Sequence, residues 1–257
     1  MGSGVHGATA DPRRRISAGG VLMDALDEGC YLSSTVEPVL LSYGGLEIMI
    51  DPLCCFVIEQ VYKSVDSYKG ELKVAVDIGA HVGVFTMFAA QRGAHVHAFE
   101  PCAENSVMFM RNMEHNKDSL LGKIFFYQLA VTEKTGDILE LKGGKNTGQR
   151  SLLYNDDYIV VNKCRTVSLK QVISDVMTHY GRIDYLKMDV EGYEWKLIDT
   201  ADEELKRMIG RISRVDISEH PLNDEHHFTR GPDLDYGSKM NDFLLGCGLK
   251  QSSIGHG

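Results

Sequence analysis

VAVDIGAHVGVFTMFAAQRGAHVHAFEP, residues Val74 to Pro101, sets two apolar runs on either side of a loop with two glycines and ends the second run at a glutamate. Val74 to Ile78 and Val96 to Phe99 read as short buried strands, and Gly83 to Arg92 between them has helical character. Strand, glycine turn, helix and strand make a βαβ unit, the building block of parallel sheets.

The same rhythm runs outward from this unit. Cys102 to His115 reads as a helix and Ile124 to Val131 as a third strand. The polar stretch from Thr132 to Arg165, with GDILELKGG and DYIVVNKCRTV, reads as a β-insertion or antiparallel pair. SLKQVISDVMTHYG opens on a capping-box pattern, Ser168 with Gln171, and stops at Gly181. IDYLKMDVEG and ISRVDISEHP are two more buried strands ending in acidic residues. A helix near Met240 to Cys247 leads into LKQSSI, a sixth strand. Upstream, PVLLSYGGLEIMIDP forms a hairpin about Gly44 and Gly45. From Cys54 to Tyr68 the apolar residues Phe56, Val57, Val61 and Val65 recur at helical spacing.

The expected fold is therefore α/β: a doubly wound, mostly parallel, Rossmann-like sheet with an N-terminal hairpin and helix brace and a β-insertion after the third strand. Residues 1–20, rich in Gly, Ser and Ala, read as a flexible tail whose RRRIS is a solvated charge run; 21–70 form the brace and 71–257 the main domain.

Composition narrows the function. Of the 257 residues, 43% are hydrophobic and 25% charged, as in a soluble globular protein. A formal net charge of -9 counts against a nucleic-acid partner, which needs a positive footprint. The six cysteines (Cys30, Cys54, Cys55, Cys102, Cys164, Cys247) form no C-x-x-C pair and read as reduced thiols. No apolar run approaches the ~18 residues of a membrane span. A cytoplasmic location is expected.

Ligands of such sheets bind at the carboxyl ends of the strands, where strand order reverses. The loop D-I-G-A-H-V-G lacks the G-x-G-x-x-G dinucleotide fingerprint. Asp77 suits an amine better than a pyrophosphate, and Glu100 is placed to hydrogen-bond a ribose diol. An acid for an amine, an acid for a ribose and a glycine turn describe S-adenosyl-L-methionine.

These residues resemble motif I of class I S-adenosyl-L-methionine-dependent methyltransferases, most of all the FkbM-type family. That family has a D-I-G-A-N-x-G-x-x-T loop, an E-P after the second strand and a later D-x-E-G. Here these are Asp77 to Thr86, Glu100-Pro101 and Asp189-Val190-Glu191-Gly192, in a match from about Leu72 to Pro221. His81 stands where the family usually has Asn. The resemblance implies that Gly79, Ala80 and Gly83 line the methionine and ribose side. It gives Glu100 both ribose hydroxyls and turns Asp77 to the amino end, directly or through water. Ala130 and Val131 would lie near the adenine, Asn105 either near the adenine or on the surface, and His81, Thr86, Pro101, Asp189 and Glu191 complete the expected cofactor set.

The resemblance also implies methylation of a hydroxyl on a small molecule, glycan or lipid. A hydroxyl must lose a proton, so a base or a metal ion should sit beside it. Asp189, Glu219 and His220 at two strand ends are the expected catalytic groups. A metal-free base is favoured over a metal centre, because no third well-spaced ligand is evident. EHPLNDEHH, with His226 and His227, reads as an acidic loop or substrate lid. His95 and His97 read as packing or surface residues, and Tyr193 and Trp195 as core packing. N-methylation on the same fold and a non-catalytic binding module are the alternatives. Intact acidic strand ends count against the second, and the missing G-x-G-x-x-G counts against an oxidoreductase. Only LKQSSIGHG follows Gly248, enough for one strand where the family closes its sheet with two, and an exposed edge would favour a homo-oligomer.

Overall fold

The computed structural model describes residues 37–144, 146–154, 158–218, 220 and 236–249. The chain enters as a hairpin, β1 (Val39–Tyr43) and β2 (Leu46–Ile50). Gly44 and Gly45 lie at φ 57° and 83°, the pair of left-handed residues that a tight type I′ turn needs. A 3-10 turn capped by Asp51 leads to α1 (Val57–Ser67). Next come β3 (Val74–Ile78), α2 (Val84–Gln91), β4 (His95–Phe99), α3 (Ala103–His115) and β5 (Ile124–Tyr127). β6 (Ala130–Thr132), β7 (Ile138–Gly143), β8 (Arg150–Ser151) and β9 (Ile159–Ser168) form the insertion. α4 (Leu169–Tyr180), β10 (Tyr185–Met188), α5 (Glu194–Asp199), α6 (Glu203–Ile209), β11 (Arg214–Ile217) and α7 (Tyr236–Gly246) complete the order.

Five strands form one parallel sheet in the order β11-β10-β3-β4-β5. The chain lays β3, β4 and β5 outward in one direction, then returns to place β10 on the other side of β3. Strand order thus reverses between β3 and β10, which opens the crevice where such sheets bind ligands. The central strand β3 is buried on both faces, and the edge strands β5 and β11 are half-buried. Val76, Ile78, Leu186 and Met188 pack on one side with α4, α5 and α7, while Ala75 and Tyr185 pack on the other with α2 and the hairpin.

The sheet bears out the α/β, doubly wound reading, with one correction. Ile124 to Val131 is two strands. Leu129 N–H donates to Tyr127 O at 2.9 Å, a tight turn that takes the chain out of the main sheet after Tyr127. Ala130 to Thr132 instead pairs in parallel with β9 in a second, four-stranded sheet, β6-β9-β7-β8. The antiparallel pairing expected within the insertion is that of β7 with β9. Ser168 caps α4 by accepting from Gln171 N, and Gly181 ends it at φ 73°. Residues 1–36, and the strand expected in LKQSSI beyond Leu249, lie outside the described residues. Among those described, no helix is long and apolar enough to cross a membrane.

The brace is attached by side-chain amides. Asn112 Oδ1 accepts from Met49 N at 2.8 Å, and its Nδ2 donates to Met49 O and Val82 O, both at 2.9 Å. One turn on, Asn116 does the same for Glu47, accepting from N at 2.9 Å and donating to O at 2.7 Å. Four helical residues advance ~6 Å and two strand residues ~6.8 Å. Two asparagines four apart can therefore serve alternate residues of β2 as a neighbouring strand would. Asn112→Ala strands three polar groups and should cost about 2–4 kcal/mol of stability. Urea unfolding is the measurement, and a loss below ~0.5 kcal/mol, the range of an ordinary surface change, would contradict this role.

Candidate active site

Lys187 enters the crevice from β10. It pairs in register with Asp77 of β3, so both side chains leave the same face of the sheet. Its Nζ lies 3.4 Å from Asp77 Oδ1 and 3.5 Å from Asp189 Oδ2, and donates to Gly79 O at 3.0 Å. Thr86 Oγ1 donates to the other Asp77 oxygen at 2.6 Å. Burial disfavours the ammonium, but the two aspartates outweigh it and hold Lys187 above the ordinary lysine value. Burial pushes Asp77 up against the pull of Lys187 and Thr86. Asp189 falls below its usual range because Lys187, His220 and Ser218 overcome its desolvation. Asp77 has no exposed surface, whereas Asp189 keeps 34% of its side chain open. Asp189 is therefore the acid that the crevice presents, and Asp77 and Thr86 stand behind it.

Gly79 closes this region by its lack of a side chain. A Cβ there would lie 1.8 Å from Asp189 O, at a φ of 76°. The N–H groups of Gly79 and Ala80 both donate to Phe99 O, and Gly83, at φ 91°, caps α2. His81 adopts φ 52°, a left-handed conformation in which Asn, Asp and His are enriched. That conformation admits His as well as the Asn usual in the family that the loop resembles. Burial pulls the His81 ring down to about 4, so it is neutral, and its Nε2 lies 3.2 Å from Thr147 Oγ1.

Glu100 is nearly buried and already engaged. One oxygen accepts from His81 N at 2.8 Å; the other accepts from Cys102 N at 2.9 Å and Asn105 Nδ2 at 3.2 Å. A carboxylate offers about four acceptor positions. Three are taken and one remains. Asn105 also donates to Thr147 O at 3.1 Å. Pro101 O accepts from Asn162. Ala130 and Val131 are buried in the second sheet's first strand, Ala130 beside Cys102 and Val131 in the core beneath Phe99.

On the other side of the crevice, Glu191 (φ 52°) and Gly192 (φ 95°) turn the chain from β10 into α5. Glu194, with no exposed surface, fixes that turn. Its Oε1 accepts from Val190 N at 2.6 Å and its Oε2 from Gly192 N at 2.8 Å. The same Oε1 lies 3.2 Å from His220 Nδ1. His220 Nε2 faces Glu191 Oε1 at 3.5 Å and Asp189 Oδ1 at 3.6 Å. Burial alone would lower His220, but Glu194, Glu191 and Asp189 raise it to about 9. Burial raises Glu191 to about 7. Asp189 and His220 are thus brought together as expected, and Glu219 lies outside the described residues, as do His226 and His227. A third group well spaced for a cation does exist: Asp189, Glu194 and His220 place one atom each within 4.8 Å of one another. Glu194 also accepts from the backbone N–H groups of Val190 and Gly192.

Sequence reasoning missed Lys187, Glu194, Thr147 and Arg150. A lone lysine in the otherwise apolar YLKM of a buried strand was the readable signal, since a buried charge requires a partner. Thr147 and Arg150 come from the insertion, which roofs the loops. Arg150 bonds Cys102 Sγ and, at 2.6 Å, Glu104, while Ser151 Oγ donates to Glu191 O at 2.7 Å. Trp195 is buried as expected, and its Nε1 also donates to His220 O at 2.7 Å. His97 stacks on Phe125 as a packing residue.

A glycine loop lies at the switch point of this α/β sheet, with a partly open aspartate at one neighbouring strand end and a buried glutamate at the other, the place where sheets of this kind bind ligands. The profile of the methyltransferase FkbM domain matches residues 77–250, and the chain belongs to that family. S-adenosyl-L-methionine is its cofactor. Among solved structures, the chain is similar to a SAM-dependent methyltransferase from Agrobacterium tumefaciens (14% identity, 59% of this chain and 39% of that one, TM-score 0.33). It is also similar to the Pyrococcus abyssi tRNA (uracil-54, C5)-methyltransferase in complex with S-adenosyl-L-homocysteine (23% identity, 35% and 23%, TM-score 0.29). In both cases it spans less than half of the other chain's length. No curated protein shows significant similarity to it.

Lys187→Met strands Asp77 beside Asp189 with no cation between them. The loss should be about 3–5 kcal/mol near neutral pH, as for removal of one partner of a buried pair. A stranded carboxyl has a folded pKa above its unfolded one, so the penalty grows as pH rises through the carboxylate range and shrinks as pH falls. Urea unfolding at pH 8 and pH 5 should show the smaller loss at pH 5, and equal losses would argue against the ion bridge.

Proposed function

We propose that the chain transfers a methyl group from S-adenosyl-L-methionine to a hydroxyl of a small molecule, glycan or lipid, with His220 as the base. The observation that carries this reading is the His220 ring, its Nε2 turned toward the open Asp189 and Glu191. The cofactor, when bound, supplies a methyl group activated by a sulfonium. Asp189 would hold its ammonium group, Glu100 one ribose hydroxyl, and the 79–83 loop its methionine and ribose portion. Asp77 and Thr86 act behind these groups through Lys187. The acceptor oxygen gains a methyl group as it loses its proton, and that proton ends on His220 Nε2. The net charge of -9 favours an acceptor other than nucleic acid. The described cysteines are all free thiols, in keeping with a cytoplasmic site of action.

His220→Ala should reduce turnover by roughly 10²- to 10⁴-fold while cofactor binding is kept. The neutral ring is the reactive form and His220 is raised to about 9. Turnover should therefore climb with pH, about tenfold per unit, until it levels near that value. Full activity of the alanine variant removes His220 from the chemistry. Turnover abolished by EDTA and restored by magnesium would replace the base with a metal ion.

Glu100→Gln removes the charge and one acceptor oxygen of a single ribose contact. Calorimetry should find S-adenosyl-L-methionine bound about tenfold or more weakly, ~1.5 kcal/mol. Unchanged affinity would remove Glu100 from the cofactor site.

A further inference from the structure

We infer that Glu194 is the positioning residue of this site, fixing the tautomer of His220 so that Nδ1 carries the hydrogen and Nε2 is the nitrogen offered to the acceptor. The inference rests on the reading of His220 as the base. An ionised carboxylate only accepts hydrogen bonds, so the ring nitrogen 3.2 Å from Glu194 Oε1 must be the protonated one. Once the ring is neutral its lone pair lies on Nε2, between Asp189 and Glu191. The acceptor's proton passes to Nε2, the acceptor oxygen keeps its electron pair for the new methyl bond, and Glu194 balances the charge left on the ring.

Two further contacts separate this role from simple loop capping. Trp195, the next residue of α5, donates to His220 O at 2.7 Å, so consecutive residues hold the histidine by ring and by backbone. The carboxylate that takes the ring also accepts from Val190 and Gly192 on either side of Glu191. One buried anion thus sets the ring and the Glu191 turn in a common frame. Among the described residues, the charged groups facing the ring are Glu194, Glu191 and Asp189, with Lys187 behind Asp189. Glu194 is the one with no exposed surface, where an anion acts most strongly on its neighbour.

The test is nitrogen NMR of the intact protein labelled at histidine with ¹⁵N, with His220→Ala supplying the assignment. Above the ring's titration point, His220 should show a protonated Nδ1 and an unprotonated Nε2; the opposite tautomer overturns the inference. Glu194→Gln should move the rising limb of the turnover–pH profile at least one unit lower and reduce the high-pH plateau about tenfold. Its affinity for S-adenosyl-L-methionine should stay within about threefold, and Glu194→Asp should bring the limb back toward its original pH. A limb unmoved in a folded Glu194→Gln also overturns it. If that variant does not fold, the wild-type spectrum decides. A protonated Nδ1 together with a fully active His220→Ala would sustain the positioning by Glu194 while ending the reading of His220 as base.

Discussion

The ammonium of Lys187 sits between two aspartates at the point where strand order reverses, and both walls of the crevice depend on it. Asp77 belongs to β3 and Asp189 to the end of β10, so the lysine joins the two strands that part there. Its third contact, Gly79 O, extends the link into the glycine loop. Two aspartates this close, without a cation, would repel one another in a low-dielectric setting. With it, Asp77 remains buried and Asp189 remains charged and open to a ligand. The crevice thus presents one acid rather than two.

The loops on either side of this bridge are built alike. Each carries a non-glycine residue in the left-handed region, His81 after β3 and Glu191 after β10. Such residues persist where surrounding contacts over-determine them. In both loops those contacts include a buried glutamate accepting from backbone N–H groups, Glu100 from His81 and Glu194 from Val190 and Gly192. Each glutamate then has a second task toward the site: Glu100 keeps one acceptor position free, and Glu194 engages the His220 ring. Backbone shape and the chemistry proposed for the site therefore rest on the same carboxylates.

This double use explains what the sequence made legible. The βαβ core was readable because glycine turns and short apolar runs act locally, and β3 ends at Ile78 as its pattern implies. Asp189 and His220 could be named because each ends an apolar run. Two kinds of feature were hidden. The split of Ile124 to Val131 depends on where β6 finds a partner, and Ala130 pairs with Thr166, 36 positions downstream in β9. The partners of the acidic groups also depend on register: that Lys187 falls beside Asp77 rather than one residue away follows from the pairing of β10 with β3. A slip of one residue would turn the lysine to the other face.

His81 shows how such long-range contacts bear on access to the glycine loop. Asparagine at this position would satisfy the left-handed backbone equally well. The imidazole reaches further, to Thr147 of the insertion, and Thr147 Oγ1 in turn lies 3.5 Å from Asp51 of the N-terminal brace. Asn146 adds a second tie between the same two segments by accepting from Cys54 Sγ at 3.1 Å. The brace and the insertion, about a hundred residues apart in sequence, thereby meet above the glycine loop through a neutral ring. A charged ring there would add a cation to a neighbourhood that already holds Lys187 and Arg150, both of which act to keep His81 unprotonated. The roof of the site therefore combines a neutral ring with the Arg150–Glu104 ion pair, whereas its floor rests on the Lys187 bridge.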